Sequence, residues 1–219
     1  QYQLQDFFHI RDIFIQNVPP FTRRQYCTTM TFRPGTRLFE MVSHTHKRGA
    51  LFEAWGPGVS GICSTAVDPA CSPEPGPPVL RTTDYADPDR ALFDPPLALD
   101  GDELSRSVKY CAVYDNGFTD PTDVKRRSTA PEGAVTCSDV EIACLDGPHR
   151  GELCGGDNAQ CDSAPRAGDG RCDACPLRGW VTADDEMFAM LGSYYCATGV
   201  ACVLPPQFPR QLPGGIPLL

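Results

Sequence analysis

The sequence predicts an all-β protein, an antiparallel sandwich, and three observations carry that expectation. Short runs rich in aromatic and β-branched residues recur along the chain, helical periodicity is hard to find, and 22 prolines and 20 glycines punctuate the runs. Proline at that frequency does not suit a helical bundle. In chain order the expected strands are FIQNV at 14–18, YCTTMTF at 26–32, RLFEMVSHTH at 37–46, ALFEAW at 50–55, SVKYCAVY at 107–114 and EMFAMLGSYYC at 186–196. Turns are expected at RPG (33–35), PGPP (75–78), DPP (94–96) and DNG (115–117), where proline fixes φ or glycine supplies a positive one.

Two segments break the strand rhythm. Cys63 to Cys71, followed by SPEPGPP, reads as a long loop closed by one local disulfide. Residues 128–183 hold six cysteines (Cys137, Cys144, Cys154, Cys161, Cys172, Cys175), no strand-length apolar run, and nine acidic residues against four basic. A segment of that composition builds no core of its own, so cross-links must restrict its unfolded state. It is expected to be an insertion with mainly internal disulfides, lying outside the sandwich. Replacing residues 130–182 with a Gly/Ser linker is then expected to leave metal binding within a few-fold of the original.

Twelve cysteines in 219 residues, with no thioredoxin-like pattern beside a βαβ unit, point to an oxidising compartment: secreted, periplasmic or cell-surface. No apolar run approaches the roughly 20 residues of a membrane span. The opening QYQLQDFF lacks the basic and apolar regions of a signal peptide, so the chain reads as mature or excised. A net charge of −9 and a pI near 4.8 argue against nucleic acid or an anionic membrane surface as partner.

The chemistry centres on HTHKRG at 44–49. Residues i and i+2 of a strand share a face, so His44 and His46 can present two imidazoles to one metal ion while Thr45 turns away. Two ordinary histidines on a solvated strand end fit the same spacing, and two imidazoles alone leave a metal short of ligands.

HTHKRG, preceded by YCTTMTFRPGTRLFEM and followed by a GD…YCAVYDNG strand and then DDEMFAMLGSYY, resembles the C-terminal domain of the copper type II, ascorbate-dependent monooxygenases. Peptidylglycine α-hydroxylating and dopamine β-monooxygenases represent that family. The resemblance runs from Gln25 to Tyr195 apart from the two insertions. It implies a copper site on His44, His46 and Met187, with O2 as oxidant, ascorbate as reductant, and a small-molecule or peptide substrate. Two neutral imidazoles and a thioether suit Cu(I), whereas carboxylates would suggest a harder metal. The resemblance also implies a bridge from Cys27 to a cysteine past the last strand, Cys202 before Cys196.

The departures carry information too. Where the peptide-hydroxylating members use an arginine, an asparagine and a tyrosine to anchor substrate, this chain has Val42, Ala189 and Leu191, which disfavours an anchored peptide carboxylate. The family's cysteine after the methionine is Phe188 here, leaving Cys111 to pair differently. The family's second copper needs three further histidines, whereas only His9 and His149 remain. A second copper domain upstream, or on a partner chain, is the expected complement.

Other motifs lead elsewhere. CDAC at 172–175, with Cys154 and Cys161, has zinc-ligand spacing, but an oxidising compartment favours disulfides. Carboxylates in GGDN, CDSAP and GDGRCD lack the regular Ca²⁺ loop pattern. EAWGPGVSG at 53–61 has no phosphate-loop lysine, KRRS at 125–128 reads as a solvated basic run, and no G-x-S-x-G elbow is present. The expectation is a jelly-roll-type sandwich, one domain over 1–219, carrying a type II copper site for C–H hydroxylation. A non-catalytic copper-binding domain and a disulfide-stapled interaction module with a decayed site are the rivals.

Overall fold

The computed structural model describes residues 3–9, 14–59, 77–165, 167–180, 182 and 184–202. Ten strands form among them: β1 (Gln5–His9), β2 (Thr22–Thr31), β3 (Thr36–His44), β4 (Gly49–Trp55), β5 (Leu80–Thr82), β6 (Arg90–Leu99), β7 (Ser107–Asn116), β8 (Ala143–Cys144), β9 (Cys172–Ala174) and β10 (Ala189–Cys196). One antiparallel sheet has the order β1-β10-β3-β6 and a second the order β2-β7-β4-β5. A single core takes Phe7, Leu38, Met41 and Met190 from the first sheet and Phe52, Ala54, Val108 and Tyr110 from the second, which is a sandwich. The all-β antiparallel class is as expected.

Consecutive strands often lie in different sheets, and that places the chemistry. The chain leaves the first sheet at His44 and enters the second at Gly49, so residues 45–48 are the crossing between the layers. A hydrogen bond from Gly49 N to His46 O at 2.9 Å tightens the corner. Asn116, at the end of β7, lies at this same end, because β4 begins opposite Tyr114 through Gly49. Ala189 opens β10 opposite His44. The long connection from β7 to β10 therefore departs and returns beside the HTHKRG corner.

Several expectations need correction. FIQNV at 14–18 forms only isolated bridges, Phe14 to Met187 and Val18 to Leu177, so it straps the sandwich without joining a sheet. The strand expected over 37–46 ends at His44 because the chain turns there to change layers. DPP at 94–96 is not a turn but lies within β6. That strand is the edge of its sheet, where proline's missing N–H costs no ladder bond, and the register shift between Leu38 and Glu40 absorbs the irregularity. Strands β1 and β5 are short and carried no signal of their own.

The disulfides differ from expectation at one point and agree at another. Cys27 pairs with Cys111, not with Cys202, which bonds Cys196 instead. The physical reason is register: Cys27 and Cys111 stand directly opposite in the β2–β7 ladder, with Cα atoms 4.1 Å apart. Within the insertion Cys137 pairs with Cys175, Cys144 with Cys161 and Cys154 with Cys172. These bonds, the small β8–β9 ladder and a cluster of Cys side chains around Ile142 make a unit outside both sheets. The Cys63 to Cys71 loop lies outside the described residues.

Candidate metal centre

His44 closes β3, and the residues opposite it on β10 decide what it meets. The register runs Leu191↔Val42, Met190↔Ser43 and Ala189↔His44. Met187 lies two residues before Ala189, just outside the ladder, where its backbone bridges Phe14. Ser43, Thr45, Phe188, Ala189 and Met190 are buried, whereas His44 is exposed and His46 and Met187 are half-buried, so burial alternates along β3 but not along the start of β10. Met41 and Met190 belong to the core, so alternation along the two strands turns His44 and Met187 toward the outer side of the β10–β3 pair. The two imidazole centroids are 5.4 Å apart, with the rings nearly perpendicular at 88°.

The hydrogen bonds around His46 fix which nitrogen is available. Its Nδ1 faces two main-chain carbonyl oxygens, Thr182 O at 2.9 Å and Asp185 O at 2.7 Å. Both are pure acceptors, so Nδ1 must carry a proton, and in the neutral ring the lone pair is then on Nε2. A histidine whose far nitrogen is held by a main-chain carbonyl is the usual arrangement behind a metal ligand. His44 reaches solvent at one edge, yet burial of the rest of its ring, and then the neighbouring His46, hold its pKa below the ordinary 6.5. That favours the neutral form a ligand needs.

Charged groups brace the corner without entering the ligand set. Glu186, buried beside Met187, accepts from His46 N at 2.8 Å and Arg48 N at 2.6 Å. Burial pushes its pKa up to about 8, while those two N–H donors and the Arg48 and Lys47 cations pull the other way. Arg48 donates to Asp184 Oδ1 at 2.9 Å and Lys47 lies 2.9 Å from the same oxygen. Tyr114 Oη donates to Met187 O at 2.6 Å, tying the methionine's backbone to β7. Spacing in the sequence gave no hint of these partners, since they come from segments about 140 residues apart.

The other two histidines do not converge here. His9 is buried with Nδ1 2.6 Å from Tyr110 Oη, and His149 is exposed with Nδ1 3.2 Å from Glu152. The chain's histidines therefore make one paired site. Cys144, Cys154 and Cys161 bring their sulfurs within 4.8 Å of one another, but each is in a disulfide, and zinc needs thiolates. The zinc-knuckle alternative for CDAC is thereby excluded in the oxidised protein, since Cys172 and Cys175 are also bridged.

No protein-family model matches the chain, and no curated protein matches it in sequence. What remains is the set of residues itself. The donor types of that set fit copper, since imidazoles bind it when neutral and a thioether is a soft ligand, and the nearby Asp184 and Glu186 side chains are occupied by Lys47, Arg48 and main-chain N–H groups.

Proposed function

We propose that this chain is a copper-dependent monooxygenase domain that hydroxylates an aliphatic or benzylic C–H bond with O2 and a reductant such as ascorbate. The observation that carries the proposal is the commitment of His46 Nδ1 to two carbonyls, which leaves Nε2 as the nitrogen for a metal beside the His44 ring, 5.4 Å away between centroids. His44, His46 and Met187 would hold the ion, which supplies the one-electron chemistry with O2 that organic side chains lack. The balance is one C–H bond and one O2 consumed, with two electrons and two protons, giving one C–OH and one water. Ascorbate gives up the two electrons.

The chain's own contribution is to hold the ligands and shape the approach. Val42 and Leu191 pair directly, one step along the ladder from His44 and Ala189, on the same outer face. Val42 and Leu191 are apolar where the similar family carries substrate anchors, and Arg90, opposite Val42 on β6, is paired with Glu40, which supports a substrate other than an anchored peptide carboxylate. His9 and His149 are engaged apart from the site, so the second electron must enter from a group outside these 219 residues. An upstream copper domain or a partner chain is that group in this proposal.

Oxygen uptake by the copper-loaded protein with ascorbate and a panel of apolar C–H substrates tests the proposal. Product bearing oxygen from labelled O2, lost in His44→Ala, is the expected result. Tight copper binding with no product, even with a reductant able to deliver both electrons, would instead make the chain a copper-binding domain without turnover. The absence of a second histidine cluster favours that rival.

A further inference from the structure

Lys125 and Asp185 form an ion pair with almost no exposure, their side chains 1% and 0% accessible. For stability alone, apolar residues of similar volume often do as well as such a pair, because removing two charges from water is costly. Its connections suggest a different role. Asp185 O accepts from His46 Nδ1 at 2.7 Å. Asp185 N donates to Thr182 O at 3.1 Å, and Thr182 O is the second acceptor facing that same Nδ1. Asp185 Oδ2 accepts from Thr182 Oγ1 at 2.8 Å and from Val135 N at 3.2 Å.

Lys125 closes the arrangement from the other side. Its Nζ donates to Asp185 Oδ1 and to Val135 O, so cation, carboxylate and the Val135 peptide form one buried knot. The lysine backbone is itself registered against the sandwich: its N–H donates to Asn116 Oδ1 at 2.9 Å, at the end of β7. Its carbonyl accepts from Cys175 N at 2.8 Å, and Cys175 is bridged to Cys137, two residues from Val135.

We propose that Lys125 and Asp185 are positioning residues for His46, holding the Thr182 and Asp185 carbonyls against Nδ1 so that one tautomer persists and Nε2 stays aimed at the ligand face. The Cys-rich insertion, through Val135 and Cys175, is then the outer wall of the metal centre. This deepens the copper proposal and rests on it for its purpose, but the tautomer itself can be read without any metal.

Imidazole nitrogen NMR on the metal-free protein at mildly alkaline pH reports which ring nitrogen carries the proton. The variants are Lys125→Met, Asp185→Asn and the double Lys125→Met/Asp185→Leu. The double variant is included because losing one partner strands a buried charge and can unfold the chain, whereas losing both does not. Wild type should show a single Nδ1–H form at His46. The folded variants should show a mixture with Nε2–H, no change at His44, and copper affinity about tenfold weaker. A double variant that regains wild-type thermal stability and still shows the mixture separates positioning from mere support of the fold. A folded double variant keeping the single Nδ1–H form would overturn the inference. Mixed tautomers in a protein that binds no copper would uphold the positioning role while removing the copper proposal.

Discussion

Gly49 leaves no room for a side chain: a Cβ there would lie 2.4 Å from Thr45 Oγ1 and 2.6 Å from Thr45 Cβ. Thr45 is buried between the two histidines, so it can yield only by moving the corner. Gly49→Ala should therefore cost about 1–3 kcal/mol in chemical denaturation, in the range of overpacked cores. Copper affinity should fall with it. At Asp184, burial raises the carboxyl pKa, but hydrogen bonds and charge from Lys47 and Arg48 outweigh it and hold the group below 3.8. A depressed carboxyl stabilises the fold above its unfolded value and loses that contribution as pH falls through the folded one. The denaturation midpoint should thus decline as pH drops below about 4, and Asp184→Asn should flatten the decline. The nearness of His44 and His46 was legible because they are two residues apart, although His46 stands just past the strand end. Met187 carries no signal in its own spacing, and only the family resemblance nominates it.

At the scale of elements, the two cysteine-bearing features behave differently. The Cys27–Cys111 bridge joins strands already paired and spans 84 residues of sequence. Replacing both cysteines with alanine should lower stability by about 4–5 kcal/mol in the chain-entropy model. Equilibrium unfolding measures it. The insertion has its own ladder and disulfides, as its composition implied, yet Thr182 and Val135 reach the turn that holds His46. Replacing 130–182 with a Gly/Ser linker should hence weaken copper binding by about tenfold or more, contrary to the expectation from composition. Titration with a competing chelator would decide between them. Composition shows that a segment is poor in large apolar residues, but not that its cystines pack around Ile142 into a small core, nor where its two ends leave the sandwich. Strand β6 escaped notice for a related reason: DPP marks a turn in general, and only sheet order reveals an edge that tolerates it.

At the scale of the molecule, the five described disulfides and the absence of any free described cysteine fit an oxidising compartment. No helix among the described residues is long and apolar enough to cross a membrane. The sandwich brings one layer crossing, one strand start and one insertion to the same end, and the His44–His46 pair stands there. The measurement that tests this most directly is X-ray absorption at the copper edge of the reduced, copper-loaded protein, with Met187→Ala beside it. Cu(I) should show nitrogen neighbours together with a sulfur shell that disappears in the variant, because a thioether binds Cu(I) more strongly than Cu(II). A reduced site with no sulfur scatterer, or full copper retention after both His44 and His46 are replaced, would contradict the assignment of His44, His46 and Met187 as the metal centre.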